Sequence, residues 1–368
     1  MSPGKARLLT GISCVGFLVL LSTAMLVLDI PELLSKSVGI SPVNEFVASL
    51  GFFVLIAIML LPFDLIGGFV IPRAFERQSL QLTSWFLRWF RSVIFQTVMF
   101  ASLFFAYLQI GRELGPKWMI GLFILLQIFL VASQEQIWRL MTFQAWKRDR
   151  QNSTQFVTNR DQRFAGGITG FPGYERVLVP SSWQANLSTS SLNVLLERRW
   201  AAVQTGGRRR GIIAAAVWNI FCLSIAVFVS GSVVSNIGDL MTVFLCFLLL
   251  SFMGLLILPS LNRNSVFALD RSFADRFGKE DLIEALREID DLTDQDRDRS
   301  VSEESIFQPI PCPERRIQSL REKGRHSIPA WNVARTALFL SWAFGGPLAR
   351  AVHCNVGRPE LWAMLPTD

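Results

Sequence analysis

The sequence is poor in charged residues, tyrosine and histidine. Charged side chains make up 18% of the 368 residues, against roughly 25% in an average soluble protein, while hydrophobic residues make up 51%. Tyrosine and histidine occur twice each, whereas phenylalanine occurs 30 times and tryptophan 11 times. The length would allow two soluble domains, but this composition argues against them and favours a membrane protein.

The cysteines form no C-x-x-C pair, which argues against a disulfide framework. Three of the five lie inside apolar runs, and Cys312 and Cys354 fit a reducing compartment. The net charge of +7 comes from basic residues between the apolar runs. Membrane orientation explains that placement better than binding to nucleic acid, so we expect no nucleic-acid partner.

Six apolar segments are long enough to cross a bilayer as helices, which takes roughly 20 residues. They span about residues 8–29, 46–71, 90–110, 117–136, 211–233 and 237–259. The first is expected to be an uncleaved span, because no small-residue cleavage site follows it. Buried helices of a soluble core are a poor alternative, since such helices seldom stay apolar all round.

The basic residues predict the orientation of the spans. Lys5 and Arg7 precede the first span, and residues 137–210 carry twelve Lys and Arg, ending in Arg208-Arg209-Arg210. The alternate loops hold few basic residues, so the positive-inside rule places both termini and all strongly basic loops in the cytoplasm. We therefore expect a multi-pass protein of the cell (inner) membrane.

The predicted fold class is mainly α, a polytopic membrane helical bundle of about six spans with a small cytoplasmic α+β domain. A strand is predicted near residues 174–180, a helix at 191–204 capped by Ser188 to Ser190, and helices at 262–277, 279–290 and 313–323. The chain divides into four N-terminal spans (1–136), a first cytoplasmic segment (137–210), two further spans (211–259), a second cytoplasmic segment (260–323) and a C-terminal tail (324–368).

The two polar segments carry motifs in a particular order around two spans. This layout resembles the HtpX-like and prenyl-protein (CAAX) endopeptidase family of membrane zinc metallopeptidases. In that family an H-E-x-x-H helix precedes two spans, and a second helix then supplies the third zinc ligand. The matching stretches are Gly173–Val179, Val194–Trp200, Arg208–Gly211, Asn262–Asp270 and Phe307–Leu320.

The resemblance implies a zinc site of two histidines and one glutamate, and this sequence departs from it at all three positions. Leu196 and Trp200 stand at the histidine positions, and Val266 stands at the third ligand position. Glu197 keeps the position of the general base, and Asp270 keeps the later aspartate of the second motif. Zinc needs nitrogen, sulfur or oxygen ligands, so we expect no cofactor and a zinc site filled by packed apolar side chains.

The expected function is therefore that of a pseudopeptidase, which binds a membrane or peptide partner through the former cleft. Glu197 is predicted to be a surface carboxylate on a basic helix, and Asp270 to join helices, with Arg263 and Arg271 near it in sequence. An active metalloendopeptidase with unrecognised ligands is the alternative, and a transporter is a distant one. The lipid bilayer is the one partner that the spans themselves imply.

Polar residues outside the motifs support weaker hypotheses. Cys312, His326, His353 and Cys354 have the side chains of a zinc site but no common ligand spacing. Asp64, in the second span, is a candidate for intramembrane function, stabilised by backbone groups that Pro62 frees. The apolar stretch 333–352 is interrupted by Gly345-Gly346-Pro347, which predicts an interfacial or docked helix rather than a seventh span.

Overall fold

The computed structural model describes residues 3–38, 41–75, 81–142, 146–147, 154–158, 164–292, 300, 303–304, 307–322 and 330–363. Six helices are long and apolar enough to cross a membrane. They are α1 (Pro3–Val27), α3 (Pro42–Leu65, continued to Phe75), α5 (Leu82–Glu113), α6 (Pro116–Thr142), α9 (Gly207–Val229) and α10 (Ile237–Phe277). All six predicted spans are confirmed, and the fold is a polytopic helical bundle.

Two of the spans differ from their predicted course. The second is longer than its predicted range of 46–71: α3 begins at Pro42, passes through Pro62 to Leu65, and leads through a π-helical turn (Ile66–Val70) into α4 (Ile71–Phe75). The last span passes through Pro259 without a break, so the predicted helix at 262–277 is the continuation of α10. One continuous helix therefore links the last span to the second polar segment.

The first polar segment forms a small sheet and two helices. Its strands are β1 (Trp146–Lys147), β2 (Thr154–Val157), β3 (Gly167–Thr169) and β4 (Arg176–Pro180), in the order β1-β2-β4-β3. β2 runs parallel to β4, and β3 pairs with β4 antiparallel. α7 (Ser181–Asn186) and α8 (Thr189–Gln204) follow, and the Ser188 side chain accepts a hydrogen bond from the Ser191 N–H as predicted.

The remaining helices belong to the second polar segment and the C-terminal segment, with the short α2 (Ile30–Ser37) between the first two spans. α11 (Lys279–Leu292) and α12 (Pro313–Arg321) pack with α10. The C-terminal segment, residues 330–363, contains α13 (Val333–Leu340), a 3-10 turn (Ser341–Phe344), α14 (Leu348–Ala351) and α15 (Pro359–Trp362).

The C-terminal segment is docked inside the bundle, where nearly all of its residues are buried. Its irregular backbone is satisfied by side chains of the spans, as backbone inside a membrane protein must be. Tyr107 donates to the Ala343 carbonyl at 3.0 Å, Trp85 to Gly357 at 3.0 Å, Trp138 to Glu360 at 2.7 Å and Asn219 to Ala337 at 2.9 Å. The indole donors explain part of the unusual abundance of tryptophan.

Glycines in the spans make room for this backbone. A Cβ atom on Gly11 would collide with the backbone of His353, and one on Gly68 would collide with that of Gly357. A Cβ atom on Gly211 would likewise collide with the carbonyl of Trp331. Three different spans thus approach the C-terminal segment closely enough to exclude any side chain, so the segment is an integral part of the bundle.

Candidate functional site

The candidate site lies where α8, α10 and α12 meet, at the end of the bundle that carries both polar segments. α8 buries one face, formed by Ser191, Leu195, Arg198, Arg199 and Ala202. Glu197, at the general-base position, points away from this face and is exposed. The prediction of a surface carboxylate therefore agrees with its exposure in the structure.

Arg198 and Arg199, the basic neighbours of Glu197 on this helix, are buried. Each has a side chain that is about 1% exposed. Arg199 donates to the carbonyls of Leu178 and Ala165, the former at 3.0 Å, and its guanidinium lies 4.8 Å from the ring centroid of Trp183. Arg199 therefore ties α8 to the sheet rather than facing solvent.

Asp270 holds two of the buried guanidinium groups. Arg198 Nε donates to Asp270 Oδ1 at 2.6 Å, while Arg316 Nε donates to Oδ2 at 2.7 Å and Arg316 Nη2 to Oδ1 at 2.9 Å. The side chains of Arg198 and Asp270 are 1% exposed and that of Arg316 is 6% exposed. This Arg198–Asp270–Arg316 cluster joins α8, α10 and α12.

The partners of Asp270 differ from those expected from nearby sequence. Arg271 donates instead to the carbonyl of Ser319 at 2.9 Å, and Arg263 donates to that of Glu304 at 2.6 Å. Both arginines still tie α10 to the second polar segment. The interhelical role predicted for Asp270 agrees with the geometry, but its bonds reach residues 72 and 46 positions away in sequence.

The residues at this site do not fit a zinc ion. Leu196, Trp200 and Val266 offer no ligand atom of the kind that zinc binds. Asp270 lies one helical turn after Val266, so the two guanidiniums on Asp270 stand close to the third ligand position and oppose a dication there. Among the described residues there is also no group of three or more His, Cys, Asp or Glu placed to hold a metal.

The structure describes the surroundings of each of the three apolar residues at the former ligand positions. Leu196 and Trp200 are half-buried and pack in the cluster that contains Ala268 and Leu269 of α10. Val266 is fully buried. The convergence of Leu196, Trp200 and Val266 on one point stays a prediction.

The C-terminal segment begins beside this site. The Ala330 N–H donates to Ser265 Oγ at 3.0 Å, next to the third ligand position, and the Trp331 N–H donates to the Gly207 carbonyl at 3.1 Å. Trp331 also packs in the apolar cluster of α8 and α10. The segment thus passes from the cleft between α9 and α10 into the membrane interior.

A second buried charge cluster lies within the spans, around Asp64. Trp89 Nε1 donates to Asp64 Oδ2 at 2.9 Å, Arg350 Nε donates to the same oxygen at 2.8 Å, and the Gly357 N–H donates to Oδ1 at 2.8 Å. Arg350 is in turn 4.6 Å from the ring centroid of Trp362. The partner of Asp64 is therefore Arg350, an arginine of the C-terminal segment. The prediction that backbone groups freed by Pro62 stabilise Asp64 is replaced by this ion pair.

Three of the four residues of the weaker zinc hypothesis are described, and they belong to no group of three or more His, Cys, Asp or Glu within the described part of the chain. The Cys312 N–H donates to Glu304 Oε2 at 3.2 Å, and His353 Nε2 lies 3.1 Å from Gln308 Oε1. Cys354 is half-buried beside His353. His326 lies outside the described residues.

The N-terminal spans give the first comparison with known proteins. Residues 4–134 match the family model described as CAAX prenyl protease N-terminal, five membrane helices. The resemblance to this peptidase family is confirmed. Over the same range the structure has four candidate spans and the short helix α2.

A solved structure confirms the fold over most of the chain. The crystal structure of S. mikatae Ste24p superposes with a TM-score of 0.57 at 15% sequence identity, and the match covers 71% of each chain. At this identity the likeness concerns the fold. No curated protein sequence matches the chain.

Sequence reasoning missed the contribution of Arg198 and Arg350 to the two buried clusters. Arg316 lies in Phe307–Leu320, one of the stretches that carry the family resemblance, but its partner was not predicted. Arg350 lies in an apolar stretch, where an ionisable side chain is expensive and calls for a counter-ion. Asp64 is an ionisable residue of opposite charge in another apolar segment, and pairing it with Arg350 would have predicted the docked segment.

Proposed function

We propose that this chain is a catalytically inactive relative of the membrane zinc metallopeptidases that it resembles, and that it acts by binding at the membrane. The Arg198–Asp270–Arg316 cluster is the observation that carries the proposal. A metallopeptidase needs an open metal position with a bound water, which the metal acidifies into a nucleophile. In this chain two buried cations and apolar side chains stand at or near the ligand positions instead.

The proposed setting is the cell (inner) membrane, with both termini and the polar segments in the cytoplasm. The positive-inside rule supports this orientation, since the strongly basic loops all lie on one side of six spans. The polar segments would then present a regulatory surface to membrane or peptide partners in the cytoplasm. The exposed face of α8, which includes Glu197 and Asn193, belongs to that surface.

The alternative is an active endopeptidase in which Glu197 works with ligands that the family pattern does not reveal. Its exposure is the one observation that favours this alternative, because a general base must reach water. The missing histidines count against it. Only two occur in the whole sequence, and one of them, His353, contacts Gln308.

A peptidase assay separates the two functions. The full chain, reconstituted in proteoliposomes, is incubated with a prenylated peptide and with an unfolded protein substrate. We expect cleavage at the rate of protein-free vesicles, and no difference between the wild type and Glu197→Gln. Turnover above background that Glu197→Gln abolishes, while Asn193→Ala on the same helix face leaves it unchanged, would establish the alternative.

A further inference from the structure

An apolar cavity of about 220 Å³ lies between α1, α10 and the C-terminal segment. α1 lines it with Gly11, Ile12, Val15 and Gly16, and α10 lines it with residues from Phe252 to Pro259. A Cβ atom built on Gly16 would meet no other atom within 4 Å, so this side of α1 borders open space. Neither the zinc-site positions nor the Asp64 cluster takes part in this cavity.

The cavity is continuous with the surface that faces lipid. Its lining residues Ile12 and Leu256 are 37% and 43% exposed, and both belong to helices long and apolar enough to span the bilayer. An apolar cavity of this size excludes water, and smaller engineered ones take up apolar ligands. The hydrocarbon available at this position is that of the surrounding bilayer, and a lipid chain can enter directly from it.

The end of the cavity nearest the polar segments is basic. Arg335 and His353 line it together with Phe307 and Pro309, and no carboxylate is among its lining side chains in the described part of the chain. Arg7 lies on α1 one helical turn before Gly11, and Lys5 lies in the first turn of the same helix. The charge at this end therefore complements an anionic headgroup.

We propose that this cavity binds one acyl chain of an anionic phospholipid, whose phosphate lies at the basic end near Arg335 and His353. The chain would run between α1 and α10 from Pro259 towards Phe252. Because His353 and Cys354 of the C-terminal segment form one wall, the bound lipid would also hold that segment against α1. The proposal is independent of whether the protein hydrolyses peptides.

The first test uses the unmodified full chain. Native mass spectrometry from detergent micelles compares phosphatidylglycerol with phosphatidylcholine of identical acyl chains. We expect one tightly held phosphatidylglycerol and at least about a fivefold preference over phosphatidylcholine, the factor that one lipid-facing cation supplies. A phosphatidylglycerol with a photoreactive acyl chain should label residues 11–16 and 252–259.

Two variants separate chain binding from headgroup binding. Gly16→Phe fills the cavity and should weaken retention of the lipid at least tenfold. The control is Gly51→Phe, since Gly51 is a helical glycine on α3 that also borders open space. Arg335→Gln should retain a bound lipid but reduce the preference for phosphatidylglycerol. The proposal is overturned if both lipids bind equally to the wild type, if label appears elsewhere, or if Gly16→Phe binds lipid like Gly51→Phe.

Discussion

Replacement of Asp64 by alanine is expected to lower the free energy of unfolding by about 3–5 kcal/mol, the usual cost of removing one partner of a buried ion pair. The change leaves the Arg350 guanidinium, whose side chain is 4% exposed, without its carboxylate among the spans. It also removes the acceptor of the Trp89 and Gly357 hydrogen bonds. SDS titration of the protein in mild detergent micelles measures the change in unfolding free energy.

The C-terminal segment should loosen in the same variant, because the Asp64 cluster is its charged anchor inside the bundle. We expect trypsin to cleave after Arg350 in Asp64→Ala under conditions that leave the wild type intact. Glu32→Gln is the matched control, since Glu32 pairs with Lys36 at an exposed position, and its unfolding midpoint should stay unchanged. A segment equally protected in Asp64→Ala and wild type would contradict the anchoring role.

Replacement of Asp270 by alanine is expected to cost a similar amount, about 3–5 kcal/mol, because it removes the buried carboxylate that the guanidiniums of Arg198 and Arg316 share. Arg198 and Arg316 would then repel each other across the junction of α8, α10 and α12. The loss of stability should be measurable as a lower free energy of unfolding. The two polar segments should also separate from each other before the spans unfold. Hydrogen exchange on α8 and α12 would report that order.

Two further variants test whether repulsion between Arg198 and Arg316, rather than the lost packing of the Asp270 side chain, lowers the stability of Asp270→Ala. Asp275→Ala changes an exposed aspartate on the same helix and should leave the unfolding midpoint unchanged. The triple variant Arg198→Met, Asp270→Leu and Arg316→Met removes all three charges, and it should be more stable than Asp270→Ala alone. If it is less stable, the hydrogen bonds of the cluster matter more for stability than the repulsion between its two guanidiniums.

The spans could be predicted from the sequence because a bilayer imposes one length and one composition on every helix that crosses it. The cap at Ser188 and the strand ending at Pro180 were likewise predictable, since both depend on neighbouring residues. The continuity of α10 through Pro259 could not be predicted in this way. A proline after an apolar run usually predicts the end of a helix. In a membrane protein, neighbouring helices and side chains can satisfy the backbone groups that the proline frees, so the helix can continue.

The partners of the buried charges could not be read from local patterns. Asp64 and Arg350 lie 286 residues apart, and Asp270 and Arg198 lie 72 residues apart. A pair of adjacent arginines on a short helix normally indicates a solvated face. Only the packing of α8 against both the sheet and α10 reveals that Arg198 and Arg199 point inwards.

Metal content decides whether the cleft between α8 and α10 forms a zinc site. The full chain should be purified without chelators, supplied with zinc, dialysed, and measured by inductively coupled plasma mass spectrometry. We predict no more zinc than in a matched membrane protein without a metal site. One tightly bound equivalent of zinc per chain, lost on Glu197→Ala or Cys354→Ala, would contradict it.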